Sequence, residues 1–221
     1  MIQVAIGYDS TIPKLSYTCA ESILDHASQP VKIIFLNKNT LPQDVWWRPR
    51  GEYDSTEFSN SRFLTPYLFE YQGKSLYLDN DMIVCHDVAE LFDTTDYYMV
   101  SVVKHNQVVT NTTKFGQKQT KYDCKNWSSV MLFNNKACSQ LSPLYVNEAP
   151  GLHLHQFHWV RDRHRIGSLP LEWNYLVDNE NQTEYTPKLI HYTNGGPYYE
   201  DTRDCEHADV WKDVANKLDM E

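Results

Sequence analysis

The stretch Ser75-Leu76-Tyr77-Leu78-Asp79-Asn80-Asp81 joins a short apolar run to two carboxylates separated by one residue. Ser75 to Leu78 reads as a buried strand. In an extended chain the side chains alternate with a period of two, so Asp79 and Asp81 project to the same side. Two carboxylates without thiolates suit a hard divalent cation such as Mn²⁺ or Mg²⁺ better than a structural zinc, and such ions keep open positions for substrate oxygens. A diphosphate is the natural source of those oxygens. The same pair also reads as a solvated turn after a strand, and the rest of the chain has to decide between the two.

Working outward from that point, strands and helices alternate. Ile2 to Gly7 is an apolar run that stops at Tyr8-Asp9-Ser10. Leu15, Cys19, Ile23 and Ala27 then recur at helical spacing, with Pro13 suited to a first turn, where a missing N–H costs nothing. Val31 to Leu36 is almost continuously apolar, as strands covered on both faces tend to be, and completes a βαβ unit. Ser61 to Tyr71 has helical periodicity, with Pro66 placed in its first turns. Downstream, the pattern predicts a short helix near Val88 to Phe92 and strands at Tyr97 to Val103, Ser129 to Phe133, Ile166 to Leu169 and Lys188 to Thr193. Trp211, Val214, Ala215 and Leu218 mark an amphipathic C-terminal helix. Val108 to Tyr122 is polar and weakly periodic, either a long functional surface loop or a disordered segment.

No repeat or linker divides the chain. The expectation is therefore one α/β domain over residues 1–221, a Rossmann-like, mostly parallel mixed sheet flanked by helices. In such sheets ligands bind beyond the carboxyl ends of the strands, where Asp9, Asp79 to Asp81 and His191 would fall.

The composition narrows the functional classes. With 20 Lys+Arg against 29 Asp+Glu in 221 residues, the formal charge of −9 gives no broad positive surface for phosphate backbones, which argues against nucleic acid as a partner. No apolar run approaches a membrane span, and no basic stretch precedes a hydrophobic one at the N-terminus, so the chain reads as unexported and cytoplasmic. The five cysteines are scattered without C-x-x-C spacing and read as thiols in a reducing compartment. The 15 Tyr and 6 Trp exceed what a core of this size needs. Such rings often stack on sugars or bases, although most sit at core margins. Oligomeric state is not legible.

His191 ends the late strand and is followed by Tyr192-Thr193-Asn194-Gly195-Gly196-Pro197, a turn whose glycines let backbone N–H groups approach an anion. A neutral imidazole there would complete the ligand set of a metal; a hydrogen-bonded histidine at a sheet margin is the alternative. His153, His155 and His158 adjoin no second ligand cluster and miss zinc spacing.

The order of Asp9 after the first strand, Arg62, L-Y-L-D-N-D, N-W-S-S-V-M-L-F-N, L-P-L-E-W-N and I-H-Y-T-N-G-G-P resembles the glycogenin-like family 8 glycosyltransferases over nearly the whole chain. The resemblance implies a glycosyltransferase-A fold, a nucleotide-sugar donor (a UDP-sugar), a glycan or other hydroxyl as acceptor, and a divalent cation, usually Mn²⁺. It makes Asp79, Asp81 and His191 the metal ligands. Gly7, Tyr8 and Asp9 match the loop that holds base and ribose, Arg62 a basic residue reaching the donor, and Ser128 and Ser129 the stretch beside the sugar. Asn80, Gly195 and Gly196 join the donor site. His155 and Gln156 occupy the place of an Asp-Gln pair near the reacting carbon, and Asn174 that of a substrate-contacting asparagine.

The sequence also departs from that pattern. Gly196 precedes Pro197 and Tyr198 where a lysine is usual, which leaves the phosphate to backbone N–H groups or Arg203. No carboxylate stands at His155, so the implied retention of anomeric configuration would proceed through an ion pair and not a covalent intermediate. Two rivals remain: a sugar nucleotidyltransferase, although Gly7-Tyr8-Asp9-Ser10 lacks the usual Gly-rich basic loop, and a noncatalytic module that binds a nucleotide sugar or glycan.

Overall fold

The computed structural model describes residues 1–51, 54–105, 113–114, 117–118, 124–179 and 185–218. In chain order the elements are β1 (Ile2–Gly7), α1 (Pro13–His26), β2 (Val31–Leu36), α2 (Thr65–Leu68), β3 (Lys74–Leu78), β4 (Met82–Val84) and β5 (Val100–Val103). They continue with β6 (Thr113–Lys114), β7 (Gln117–Lys118), β8 (Val130–Asn134), α3 (Pro143–Glu148), α4 (Gly151–His155), β9 (Ile166–Leu169), β10 (Tyr175–Leu176), β11 (Leu189–His191) and α5 (Ala208–Leu218). Short 3₁₀ turns lie between them, including Ser61–Leu64 just before α2 and Val88–Phe92.

Six strands form one mixed sheet in the order β2-β1-β3-β8-β5-β9. β1 runs parallel to β2 and β3, β5 parallel to β9, and β8 antiparallel to both its neighbours. The α/β expectation holds, with β8 as the reversed strand.

The two-residue period sorts the side chains into two cores. Val4, Ile6, Leu76, Leu78, Val130 and Leu132 face Cys19 and Ile23 of α1. Ala5, Tyr77, Met131 and Phe133 face the opposite layer, built on Phe63, Leu64, Phe157 and Trp159. Each of the Val, Leu, Ile, Met and Phe side chains contributes roughly 1.5–3 kcal/mol when fully buried. α1 is seated by hydroxyls as well: Ser16 Oγ donates to the Gly7 carbonyl (2.8 Å), and Ser22 Oγ accepts from Val84 N–H (3.0 Å).

Several elements differ from the sequence expectation. The run Val31 to Leu36 forms an edge strand, β2, and most of its side chains stay partly exposed because only β1 pairs with it among the described residues. The helix expected over Ser61 to Tyr71 is a 3₁₀ turn and then α2, and it stops where Glu70 and Tyr71 take positive φ of 55°. The strand expected from Tyr97 begins at Val100. Most of Val108 to Tyr122 lies outside the described residues; within it, β6 and β7 pair antiparallel.

A second, three-stranded sheet, β10-β11-β4, was not legible in the sequence. Its apolar residues Ile83 and Ile190 pack with Leu15, Trp211 and Val214, so α5 clamps it against α1. Its register sets His191 opposite Met82, one residue after Asp81. No helix among the described residues is long and apolar enough to cross a membrane. All five cysteines are free thiols, with Cys19, Cys124 and Cys138 buried.

Candidate metal and donor site

β3 and β4 are nearly continuous, and the three residues between them carry both aspartates. Asp79 N–H donates to the Ser129 carbonyl (3.0 Å), which prolongs the β3–β8 ladder by one residue and fixes where its carboxylate leaves the sheet. Asp79 Oδ1 accepts from Tyr77 Oη (2.7 Å) and pairs with Arg62 Nη1 (2.8 Å). Oδ2 carries neither of those bonds. Burial raises the pKa of Asp79, the Arg62 guanidinium opposes the rise, and the neighbouring Asp81 adds to it.

Across the gap, the Asp81 carbonyl accepts from Tyr192 N–H (3.0 Å), tying the second carboxylate to the end of β11. His191 Nε2 lies 3.4 Å from Asp81 Oδ1. Asp79, Asp81 and His191 each offer a ligand atom within 4.8 Å of the others. Two carboxylates and an imidazole on one point match the oxygen-rich donor sets of Mn²⁺ and Mg²⁺, and the residues fit that group of ions.

These side chains sit in the wall of a cavity of about 590 Å³. Asp9, Arg62, Asn80, Ser128, Ser129, His155 and Gly195 reach it as well. Gly7, Tyr8, Gln156, Asn174 and Gly196 do not line it. Gly7 packs under Phe58, where a Cβ would come within 2.5 Å of the ring. Tyr8 stands in an aromatic group with Tyr17 and Phe35. Gly196 leaves room for Tyr198, whose ring would lie 2.5 Å from a Cβ there. Gln156 caps the end of α4, and its carbonyl accepts from Arg163 (2.6 Å). Asn174 is fully buried behind His191, 2.9 Å from its Nδ1. Arg203 is exposed and away from the wall.

Arg62 is the hub of the site. Only 6% exposed, it donates from Nε to the Ser59 carbonyl (3.0 Å) and from Nη1 to the Ser128 carbonyl (2.8 Å), besides pairing with Asp79. Its guanidinium lies over the Phe58 and Tyr77 rings, 5.5 and 5.2 Å from their centroids. His155 Nδ1 and Ser128 Oγ are 2.7 Å apart. Burial, helped by Arg62, pushes the His155 pKa down to about 3, so its ring is neutral at physiological pH.

Sequence reasoning missed the far wall, as we call the lining formed by Arg48, Arg50, Asp54, Asn60 and Gly151, and it missed Tyr198 and Tyr199, which also line the cavity. Only the Tyr-Tyr pair beside the glycine turn, within an aromatic-rich chain, offered a signal.

No protein-family model matches the chain. In structure it resembles the WbbM bifunctional glycosyltransferase (TM-score 0.70, 18% identity), covering 97% of this chain and 49% of that one, so it spans about half of WbbM. It also resembles the galactosyltransferase LgtC, solved in complex with donor and acceptor sugar analogs (TM-score 0.65, 13% identity), over 98% of this chain and 96% of LgtC. At these identities the likeness shows a shared fold, that of glycosyltransferases. In sequence it is 39% identical to Protein CDI of Arabidopsis thaliana over 228 aligned positions, covering 99% of this chain and 88% of that protein. The chain therefore belongs to the family of Protein CDI.

Proposed function

We propose that the chain is a metal-dependent glycosyltransferase of the glycogenin-like kind that moves a hexose from a UDP-sugar to a hydroxyl of a glycan or another acceptor. The observation that carries this reading is the convergence of Asp79, Asp81 and His191 on one point in the wall of a cavity of about 590 Å³. The shared glycosyltransferase fold supports it. In this reading the three side chains hold Mn²⁺ or Mg²⁺, and the cation supplies positive charge against the leaving diphosphate.

The chain's own residues do the rest. Asp9, Asn80 and the backbone around Gly195 receive the nucleotide. Arg62 holds Asp79 and the Ser128 carbonyl in place while lying along the donor. Ser128, Ser129 and His155 flank the sugar. A neutral imidazole at His155 is a poor candidate for a stable glycosyl link, so configuration is retained through an ion pair with the acceptor hydroxyl on the leaving-group face. Action as one catalytic unit over residues 1–221, in the cytoplasm, belongs to the same proposal.

Calorimetry of UDP binding tests the reading. Binding should require Mn²⁺ and fall by about 100-fold or more in Asp81→Ala, beyond the 10–100-fold typical of losing a mere outer-shell partner. His155→Ala should slow transfer while leaving Mn²⁺-dependent UDP binding nearly intact. UDP binding of equal strength in excess chelator would sink the metal site. The noncatalytic alternative keeps one argument, the histidine in place of a carboxylate beside the sugar. Turnover of donor with release of free UDP excludes it.

A further inference from the structure

Asn174 lies outside the cavity wall, yet its bonds determine which face His191 turns to the aspartates. Ser129 Oγ is 2.7 Å from the Asn126 carbonyl, which only accepts, so the single hydroxyl proton points there and the Ser129 lone pairs remain to accept. The Asn174 side-chain atom 2.9 Å from Ser129 Oγ is also 3.4 Å from that carbonyl. It faces two acceptors and is therefore the NH₂ group. The other end of the amide, Oδ1, then faces His191 Nδ1 at 2.9 Å and accepts from it. Nδ1 carries the proton, and in a neutral ring Nε2 is left with a lone pair, on the side where Asp81 Oδ1 stands 3.4 Å away.

We propose that Asn174 is a positioning residue that locks His191 in its Nδ1–H tautomer and aims the Nε2 lone pair at the Asp79–Asp81 cluster. Ser129 is the anchor of that lock. Its hydroxyl orients the Asn174 amide, and its carbonyl accepts the Asp79 N–H at 3.0 Å, so one residue registers the Asp79–Asp81 segment against the side chain that orients His191. Asn174 and His191 are 0% and 3% exposed, which shields both bonds from exchange with water. The value of the tautomer rests on the metal reading above; the tautomer itself does not.

Long-range ¹H–¹⁵N NMR of the metal-free, ¹⁵N-labelled full chain at pH 8 reads the tautomer directly, with the His191 signals identified by their loss in His191→Gln. The expected pattern is a protonated Nδ1 and an unprotonated Nε2. A ring protonated at Nε2 overturns the proposal. Asn174→Leu should abolish the single-tautomer pattern and weaken binding of Mn²⁺ alone, followed by EPR of the free ion, by about 10- to 100-fold, as loss of an outer-shell partner does. Asn174→Asp keeps an acceptor oxygen at Nδ1 and should keep Nδ1 protonated, but it sets a second oxygen against the Ser129 and Asn126 acceptors and so should recover only part of the Mn²⁺ affinity. An unchanged tautomer and Mn²⁺ affinity in Asn174→Leu also overturns it; should that variant fail to fold, the wild-type and Asn174→Asp spectra still decide. A locked tautomer in a chain that binds no Mn²⁺ would support the lock and refute the metal reading.

Discussion

Two walls of the same cavity are built in opposite ways. The wall carrying Asp79, Asp81 and His191 stands on β3, β4, β8 and β11, where ladder bonds fix each backbone and side chains bond to side chains: Tyr77 to Asp79, Asn174 to Ser129, His191 to Asn174. Another part of the lining is made of residues 48–51 and 54–60 and the start of α4. There the polar groups hold up peptide. Arg48 Nη1 donates to the carbonyls of Val146 (2.9 Å), Asn147 (3.3 Å) and Ala149 (2.6 Å), and Asn147 Oδ1 accepts from the N–H groups of Trp47 (2.9 Å) and Arg48 (2.7 Å). Asp54 takes Gly51 N–H and Asn60 Nδ2, both at 2.8 Å. A wall without ladders must satisfy its own backbone with side chains, and Arg48 and Asn147 serve that task. A strand-built wall has its backbone satisfied already and can turn its carboxylates and imidazole to a ligand.

Arg62 bridges the two walls, from the Ser59 carbonyl to Asp79 and the Ser128 carbonyl. Replacing it is the severest way to break the comparison. Arg62→Met leaves the partly buried Asp79 without its counter-charge and should cost about 3 kcal/mol, toward the low end for breaking a buried pair. Urea unfolding measures it, and a loss under about 1 kcal/mol would mean that the walls stand independently.

Gly7→Ala is a milder probe. Its Cβ would meet the buried Phe58 ring at 2.5–2.7 Å, and Phe58 underlies the Arg62 guanidinium. Overpacking of this kind costs about 1–3 kcal/mol. The expected result is lost stability with UDP affinity little changed; the reverse would return Gly7 to the nucleotide.

A pH titration sharpens the contrast in charge. Burial pushes His105 down to about 4, and His155 to about 3. An unfolded histidine titrates near 6.5, so the unfolded chain binds these protons first. Stability from both groups is present above pH about 6.5 and is lost as the pH falls toward 4 and then 3. The urea midpoint should decline across that window, and His155→Leu should flatten the decline. An unchanged slope would show that His155 is solvated in the folded protein.

Much of the strand-built wall was legible because it depends on local rules. An apolar run of strand length followed by D-x-D places two carboxylates on one side of an extended chain whatever surrounds it, and the glycine turn after His191 marks a strand end in the same way. The far wall was illegible because Arg48 and Asn60 show nothing of their role in the segments where they stand. Arg48 bonds to segments far along the chain, the carbonyls at the end of α3, while Asn60 donates to nearby Asp54 and meets Gly151 only in a close fit, its Oδ1 2.9 Å from where a Cβ would stand.

Asn174 marks the division most clearly. Its motif, L-P-L-E-W-N, pointed to a residue in contact with substrate, and the tertiary structure puts it outside the cavity lining, in contact with His191. The sequence by itself determined the alternation of strands and helices, the two aspartates on one face, and the histidine at a strand end, because periodicity and turn chemistry act between neighbours. Only the tertiary structure decided that β11 pairs with β4, that His191 thereby meets Asp81, and that the Asn174 amide meets its Nδ1. The first two are pairings between segments about a hundred residues apart, and their free energy comes from burying Ile83, Ile190 and Trp211 together, which no local pattern encodes.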